Sequence, residues 1–378
     1  MFGITLASVG LGARLLRRKR GCGCDGVCVE AGEPWYDGVI NTVAGAVPRV
    51  RTGLTVGDRL DAIKVRWGIH RMDYRVAPGL YGVGDPGSAS PVLVSANYKL
   101  SFDRLRSARP GRNAWIVVLD TNGINVWCAA GKGTFGTDEI ARRVRECALD
   151  QIVSHRTLVV PQLGAPGVTA HEVKDRCGFR VAYGPVGAKD LPAFLDAGMK
   201  ASPGMRRVTF GLLDRAVLIP VELVTGGKYA LLLAAGFLLL GGFSGGGYSL
   251  AGVSSYGITG AALVLVPFLV GGILGPILLP FLPGRAFSVK GAVLGVLLVA
   301  GIGVYALFRQ GAFVSWIQAA ACLTLVPSLT SFVLLNFTGA STFTSLSGVK
   351  HEMRFALPLQ ATAAVIGFGS WLYGLLAA

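Results

Sequence analysis

The chain changes character near Arg215. Upstream, short apolar runs alternate with polar segments of helical periodicity; downstream, long apolar runs follow one another with few charged residues. Upstream, residues 92–95, 114–120, 157–160 and 180–183 are apolar runs of strand length, with 208–210 as a short last candidate. Residues 101–108, 137–149, 169–176 and 191–195 are helical in pattern, and Thr169 with Glu172 has capping-box spacing. A strand buried on both faces reads as a continuous apolar run, so this alternation predicts a parallel sheet with helices on both faces. Trp35, Tyr36, Trp67 and Tyr74 mark residues 30–90 as a packed extension without clear elements.

A membrane-crossing helix needs about 20 apolar residues. Five downstream runs approach this, at about 228–243, 255–282, 289–308, 313–337 and 355–376. The apolar stretch 216–224 extends the short first run, and Pro267, Pro276 and Pro280 predict a kink in the second. Three segments result: an N-terminal segment 1–50, an α/β domain 51–215, and an all-α transmembrane domain 216–378 of about five helices.

Composition agrees: of 378 residues 52% are hydrophobic and 15% charged. Beyond residue 215 the charges are Glu222, Lys228, Arg285, Lys290, Arg309, Lys350, Glu352 and Arg354. Arg206, Arg207 and Arg215 precede the first run, Arg285 and Lys290 follow the second, and Lys350 and Arg354 follow the fourth. The intervening loops carry no charge or Arg309 alone, so the positive-inside rule places the α/β domain in the cytoplasm and the chain in the inner membrane, multi-pass. The opening residues 1–16 lack a secretory pattern and lead into Arg17-Arg18-Lys19-Arg20, a solvated or lipid-facing basic run. The net charge of +15 follows largely from this anchoring, and no nucleic-acid partner is expected.

Candidate chemistry is narrow. The four histidines form no metal-binding pair, and nucleophile-elbow, phosphate-loop and dinucleotide fingerprints are missing from the sequence. Cys22, Cys24 and Cys28 form a compact group that suits a soft metal or has no fixed role; Cys147 and Cys177 read as helix packing, and Cys322 lies in an apolar run. The strand ends are small and nearly uncharged, with Ser95, Asn97, Thr121, Gly164-Ala165-Pro166-Gly167 and Tyr183-Gly184-Pro185. Ligands of α/β proteins bind at such carboxyl ends, and small residues let a large flat ligand approach the backbone. After the second of these strands comes Asn125-Val126-Trp127-Cys128-Ala129-Ala130-Gly131-Lys132. As a helix it puts Asn125, Cys128 and Lys132 on one face, with the thiol near the N-terminus where a thiolate is favoured. On chemistry alone Cys128 reads equally as packed thiol or soft-metal ligand.

That octapeptide resembles the cap-helix motif of the corrinoid proteins of mercury methylation, the HgcA family, whose relative is the large subunit of the corrinoid iron–sulfur protein. Residues 94–103, 161–167 and 183–186 carry the same resemblance. It implies a Rossmann-like corrinoid-binding domain with a cap helix. Cobalamin or a related corrinoid would be bound base-off, with Cys128 as lower axial cobalt ligand and catalytic residue. The corrin would lie between the strand ends and the cap helix, contacted by the strand-end residues and residues 125–132. Asn125 and Lys132 would orient the thiolate, and Trp127 would pack the cap. The implied activity is methyl transfer from a methyl–cobalt corrinoid to Hg(II). An iron–sulfur ferredoxin of the HgcB type would supply electrons, a methyltetrahydrofolate-linked system the methyl group, and lipid the anchor. Two alternatives are a corrinoid methyl carrier of one-carbon metabolism and a membrane transporter with an α/β regulatory domain.

Overall fold

The computed structural model describes residues 33–108, 112–244, 247–308, 316–340 and 346–377. Cys22, Cys24 and Cys28 lie outside them. The described residues divide into two compact units: one holds those up to Ala62 together with those from Met72 to Arg207, the other Ile63–Arg71 and those from Val208 onward.

In the first unit the order is β1 (Tyr36–Thr42), β2 (Gly45–Val50), α1 (Val56–Arg66), β3 (Gly79–Val83), β4 (Val92–Ala96), α2 (Lys99–Ser107), β5 (Ala114–Leu119), α3 (Val126–Lys132), α4 (Thr137–Glu146), α5 (Leu149–Ile152), β6 (Thr157–Val160), a 3₁₀ turn (Gln162–Gly167), α6 (Ala170–Cys177), β7 (Arg180–Tyr183) and α7 (Leu191–Asp196). The strands form one sheet in the order β1-β2-β3-β5-β4-β6-β7. Every residue of β3, β4 and β5 is buried, as expected of central strands covered on both faces. Trp115, Val117 and Leu119 of β5 share a core with Val126 of α3, Ile140 and Val144 of α4 and Val173 of α6. Ile116 and Val118 of the same strand point the other way, toward Trp35, Tyr81 and Phe102. On β4 and β6, Leu93 and Val159 pack with Leu191 and Phe194 of α7. Helices therefore cover both faces.

The sheet is mixed rather than all parallel. β5, β4, β6 and β7 are parallel, with Val94 opposite Val117 and Leu158 opposite Val92 and Val181. β3 runs antiparallel to β5, with Tyr81 opposite Ile116, and β1–β2 is an antiparallel hairpin whose second strand is parallel to β3. These three strands arise from the stretch read only as a packed extension. The expected strand at 208–210 does not form; Phe210 instead packs on the cluster that holds Leu279, Leu334 and Phe337 in the second unit. The helix expected at 137–149 breaks where Ala148 turns left-handed, at φ 43°. The Thr169–Glu172 capping box is also not made: Thr169 N–H donates to Thr137 Oγ1 at 2.9 Å, and Glu172 is taken by Arg176.

Within the parallel block, β4 is flanked by β5 and β6. The chain leaves β4 for a neighbour on one side and later returns on the other. Such a reversal opens a crevice beyond the carboxyl ends of the strands, and the β5–α3 connection emerges there.

Among its described residues the second unit has five helices long and apolar enough to cross a membrane: α8 (Leu212–Leu240), α9 (Leu250–Leu278), α10 (Phe287–Phe308), α11 (Trp316–Gly339) and α12 (Ser347–Leu376). α9 is not straight α-helix: π-type turns occupy Val253–Gly257 and Val270–Leu274, the second just after Pro267. Proline lacks the amide that would close the normal helical bond, which permits such widening.

Candidate functional site

The site is built from the loop that joins β5 to α3, and Asn97 organises that loop. Its Oδ1 accepts from Thr121 N–H at 3.1 Å and Gly123 N–H at 2.9 Å, and lies 2.8 Å from Thr121 Oγ1. Its Nδ2 donates to Asp120 Oδ1 at 3.1 Å, which also accepts Asn122 N–H. Asp120 N–H donates to Glu139 of α4 at 2.9 Å. Asn122 and Gly123 then turn the chain at positive φ, 56° and 74°. The loop is thus tied to the end of β4 and to α4 before α3 begins. Asn97 and Thr121 are almost wholly buried, and Asn97 spends its side-chain hydrogen bonds on the loop. Asp120 and Glu139 were not foreseen from sequence, because a carboxylate binding a distant amide has no local pattern.

Asn125 is the N-cap of α3: its Oδ1 accepts the Cys128 N–H at 2.9 Å. Gly133, left-handed at φ 80°, ends the helix after seven residues. The buried side of α3 is Val126, Ala129 and Ala130, at the three-and-four spacing that lines one helix face. Trp127, Gly131 and Lys132 are exposed, and Cys128 is half-buried at the edge of that outer side. Trp127, expected to pack the cap, is 38% exposed and lies outside the face made by Val126 and the alanines. Asn125→Ala should loosen α3 by about 1 kcal/mol, the usual value of an N-cap, without touching the core. Amide exchange at Cys128 should rise while exchange in β5 stays unchanged.

The strand-end residues divide. Ser95, Gly164, Gly184 and Pro185 are buried, whereas Ala165, Gly167 and Tyr183 are half-buried and Pro166 is exposed. Tyr183 donates its hydroxyl to Val168 O at 2.6 Å, and burial pushes its phenol pKa up. The 3₁₀ turn packs directly on α3. A Cβ on Gly167 would lie 2.2 Å from Phe135 O and 3.0 Å from Ala130 Cα; one on Gly164 would lie 2.4 Å from the Phe135 ring. These glycines let the turn close on the cap helix. A flat ligand expected between the strand ends and α3 would meet small residues that are packed against each other in this structure. The surface open to such a ligand is the outer side of α3, over Cys128 and Gly131, where a Cβ on Gly131 would meet nothing within 4 Å.

A second polar cluster lies on α1 and α2. Lys99 bridges Asp58 and Asp103, each at 2.8 Å, and Arg106 bridges the same two carboxylates at 2.9 and 2.7 Å. Arg106 also donates to Arg51 O and Gly53 O, and Thr55 caps α1 through Asp58. All four charged side chains are buried. Burial raises the Asp58 pKa, but donation from Lys99, Thr55 and Arg106 outweighs it, and Asp58 stays well below the usual carboxylate range. Burial also pushes the neighbouring Tyr74 phenol up, helped by Asp103. Lys99 and Asp103, part of the stretch 94–103 that carried the resemblance, thus serve the fold.

Among the described residues no three His, Cys, Asp or Glu side chains converge as a metal cluster. Cys147 is buried in the core. Cys177 is half-buried; its pKa is pushed up by burial, and its thiol donates to Val173 O.

Comparison with known proteins places most of the similarity on the first unit. Residues 63–195 match the family model described as CO dehydrogenase/acetyl-CoA synthase delta subunit, CdhD. The acetyl-CoA decarbonylase/synthase complex subunit gamma of Methanopyrus kandleri is 32% identical over 128 residues, which is 33% of this chain and 27% of that protein. Its counterpart in Archaeoglobus fulgidus is 29% identical over 142 residues, 36% of this chain and 30% of the relative. Subunit gamma 2 of Methanosarcina thermophila is 31% identical over 121 residues, 31% of this chain and 25% of the relative. The chain spans about a quarter to a third of the length of these relatives, and the matched stretch ends before α8. These relatives overturn the expected mercury methylation: the matching proteins are named for acetyl-CoA synthesis and decarbonylation, and the matched residues include Cys128.

Proposed function

We propose that the chain is a membrane-anchored, corrinoid-dependent methyl carrier of one-carbon metabolism, acting as one subunit of a larger assembly. The observation that carries this reading is the placement of Cys128: a half-buried cysteine on the outer side of a helix fixed beyond the carboxyl ends of parallel strands. The parallel block β5-β4-β6-β7 is read as a Rossmann-like support. The residues fit a corrinoid. A corrinoid would need a soft donor atom from the protein for its metal, and the sulfur of Cys128, amid alanine and glycine, could supply it. When bound, a corrinoid supplies a metal centre that takes up and releases a methyl group.

The chain's own groups do the rest. Cys128 Sγ would hold the corrinoid's metal, and Asn125 holds the Cys128 amide in the first turn. Asn97, Asp120 and Glu139 fix the loop that sets the height of α3. Gly131 leaves the outer side open, and Lys132 keeps positive charge beside it. α8–α12 hold the unit at the cytoplasmic face of the inner membrane. The matched relatives are named as subunits of a complex, and the partners proposed here are a tetrahydrofolate-linked methyl donor and an iron–sulfur electron donor.

The test is reconstitution of the full chain in detergent with a corrinoid, followed by gel filtration. Stoichiometric retention, with methyl exchange when a folate-dependent methyltransferase is added, is the expected result. Passage of all corrinoid in the free fraction would remove the proposal.

A further inference from the structure

Helix α1 has two faces of different character. Asp58 and Val65 are buried, and Asp58 anchors the helix to Lys99 and Arg106. The opposite face is apolar yet open to solvent: Val56, Leu60, Ile63 and Trp67 are between 48% and 74% exposed. Their spacing of four, three and four residues places them in one stripe along the helix and its last turn. Ile69 and Met72 extend the exposed apolar surface. Arg59 and Arg66 border the stripe on one side and Lys64 on the other, while Asp61 lies further round.

An apolar stripe with a tryptophan and basic residues on its flanks is the pattern of a helix lying in a membrane interface. A second observation fixes the occupant. Residues Ile63–Arg71 belong to the same compact unit as the five apolar helices. Gly68 lies beside Val221, near the amino end of α8: a Cβ on Gly68 would be 3.8 Å from Val221 Cγ2. The part of the stripe that lies in this unit, Ile63 and Trp67, therefore sits with the first candidate span.

We infer that α1 is an interfacial helix that lays Leu60, Ile63 and Trp67 into the headgroup and upper acyl region of the bilayer. Arg59, Lys64 and Arg66 meet lipid phosphates there. The inference rests on the membrane-spanning reading of α8–α12, and a single experiment separates the two. The full chain is placed in phospholipid nanodiscs containing lipids brominated at a shallow acyl position, beside unbrominated discs. Wild-type emission minus that of Trp67→Phe isolates Trp67, since the other tryptophans are common to both. Bromination should lower this difference emission by about twofold. Leu60→Asp with Ile63→Asp should restore it while leaving the remaining emission, which includes Trp316 and Trp371 of α11 and α12, still quenched. Difference emission that is unchanged by bromination, with the remaining emission quenched, would overturn the interfacial role of α1 and leave the spans intact. A Trp67 shielded from aqueous acrylamide but not reached by bromine would mean that a protein partner covers the stripe, which also overturns it. No quenching of any tryptophan would remove both readings.

Discussion

Replacing Cys128 by alanine is expected to abolish the spectral signature of thiolate coordination in the corrinoid-loaded chain and to lower corrinoid retention by about 100-fold or more. Outer-shell partners of a metal ligand already cost 10–100-fold, and here the ligand itself is removed. The fold should not notice. Cys128 is half-buried, its amide rather than its sulfur is held by Asn125, and surface truncations of this kind move stability by about 0.5 kcal/mol. Unchanged thermal unfolding with a lost signature is therefore the expected pair of results. Cys128→His should recover retention in part, with a spectrum of nitrogen ligation, because imidazole is also a ligand for such metals. An alanine variant whose spectrum matches the wild type would show that the sulfur is not the axial donor.

The parts of the fold that can be read from sequence share one property: their residues are apolar whichever way they point. β4, β5 and β6 lie inside a sheet covered on both faces, so each is a nearly continuous Val, Leu and Ile run. The five long helices are legible for the same reason: they are apolar nearly all the way round. β1 is half exposed, its residues alternating between exposed and partly buried, and β3 is interrupted by Gly79 and Gly82. Neither gives a run, and no local feature announces that β3 opposes β5. The site divides along the same line. The cap helix is visible because Asn125, the small residues and Gly133 sit in sequence order. The role of Asn97 is invisible, because its hydrogen-bond partners lie 23 to 26 residues away. The side of α3 on which a ligand could lie was also not legible. It depends on the 3₁₀ turn closing over Ala130, a contact between segments about one strand and two helices apart.

The buried charges are the hardest case for sequence reading and carry the largest expected effect on stability. Lys99, Asp103 and Arg106 have the i+4 and i+3 spacings of a solvated helical face, and only Asp58, 41 residues away from Lys99, turns them inward. Two carboxylates and two cations close the cluster with no net charge. Asp58→Asn leaves Lys99 and Arg106 buried with one carboxylate between them. Breaking such a network from one side costs about 3–5 kcal/mol, since the orphaned cation keeps its desolvation penalty. A second change, Lys99→Met, should return part of that loss by removing the orphan, and the double variant should be less damaged than the sum of the two. Resistance of the first unit to proteolysis is the measurement. The pH dependence has a fixed sign. The folded Asp58 pKa lies below its unfolded value, so the stability it contributes is fully present above about pH 4–5 and is lost as pH falls toward the folded value. The gap between wild type and Asp58→Asn should therefore be constant from pH 8 down to about pH 5 and narrow below about pH 4. A gap that widens on acidification would mean that Asp58 is not held as a carboxylate by Lys99 and Arg106.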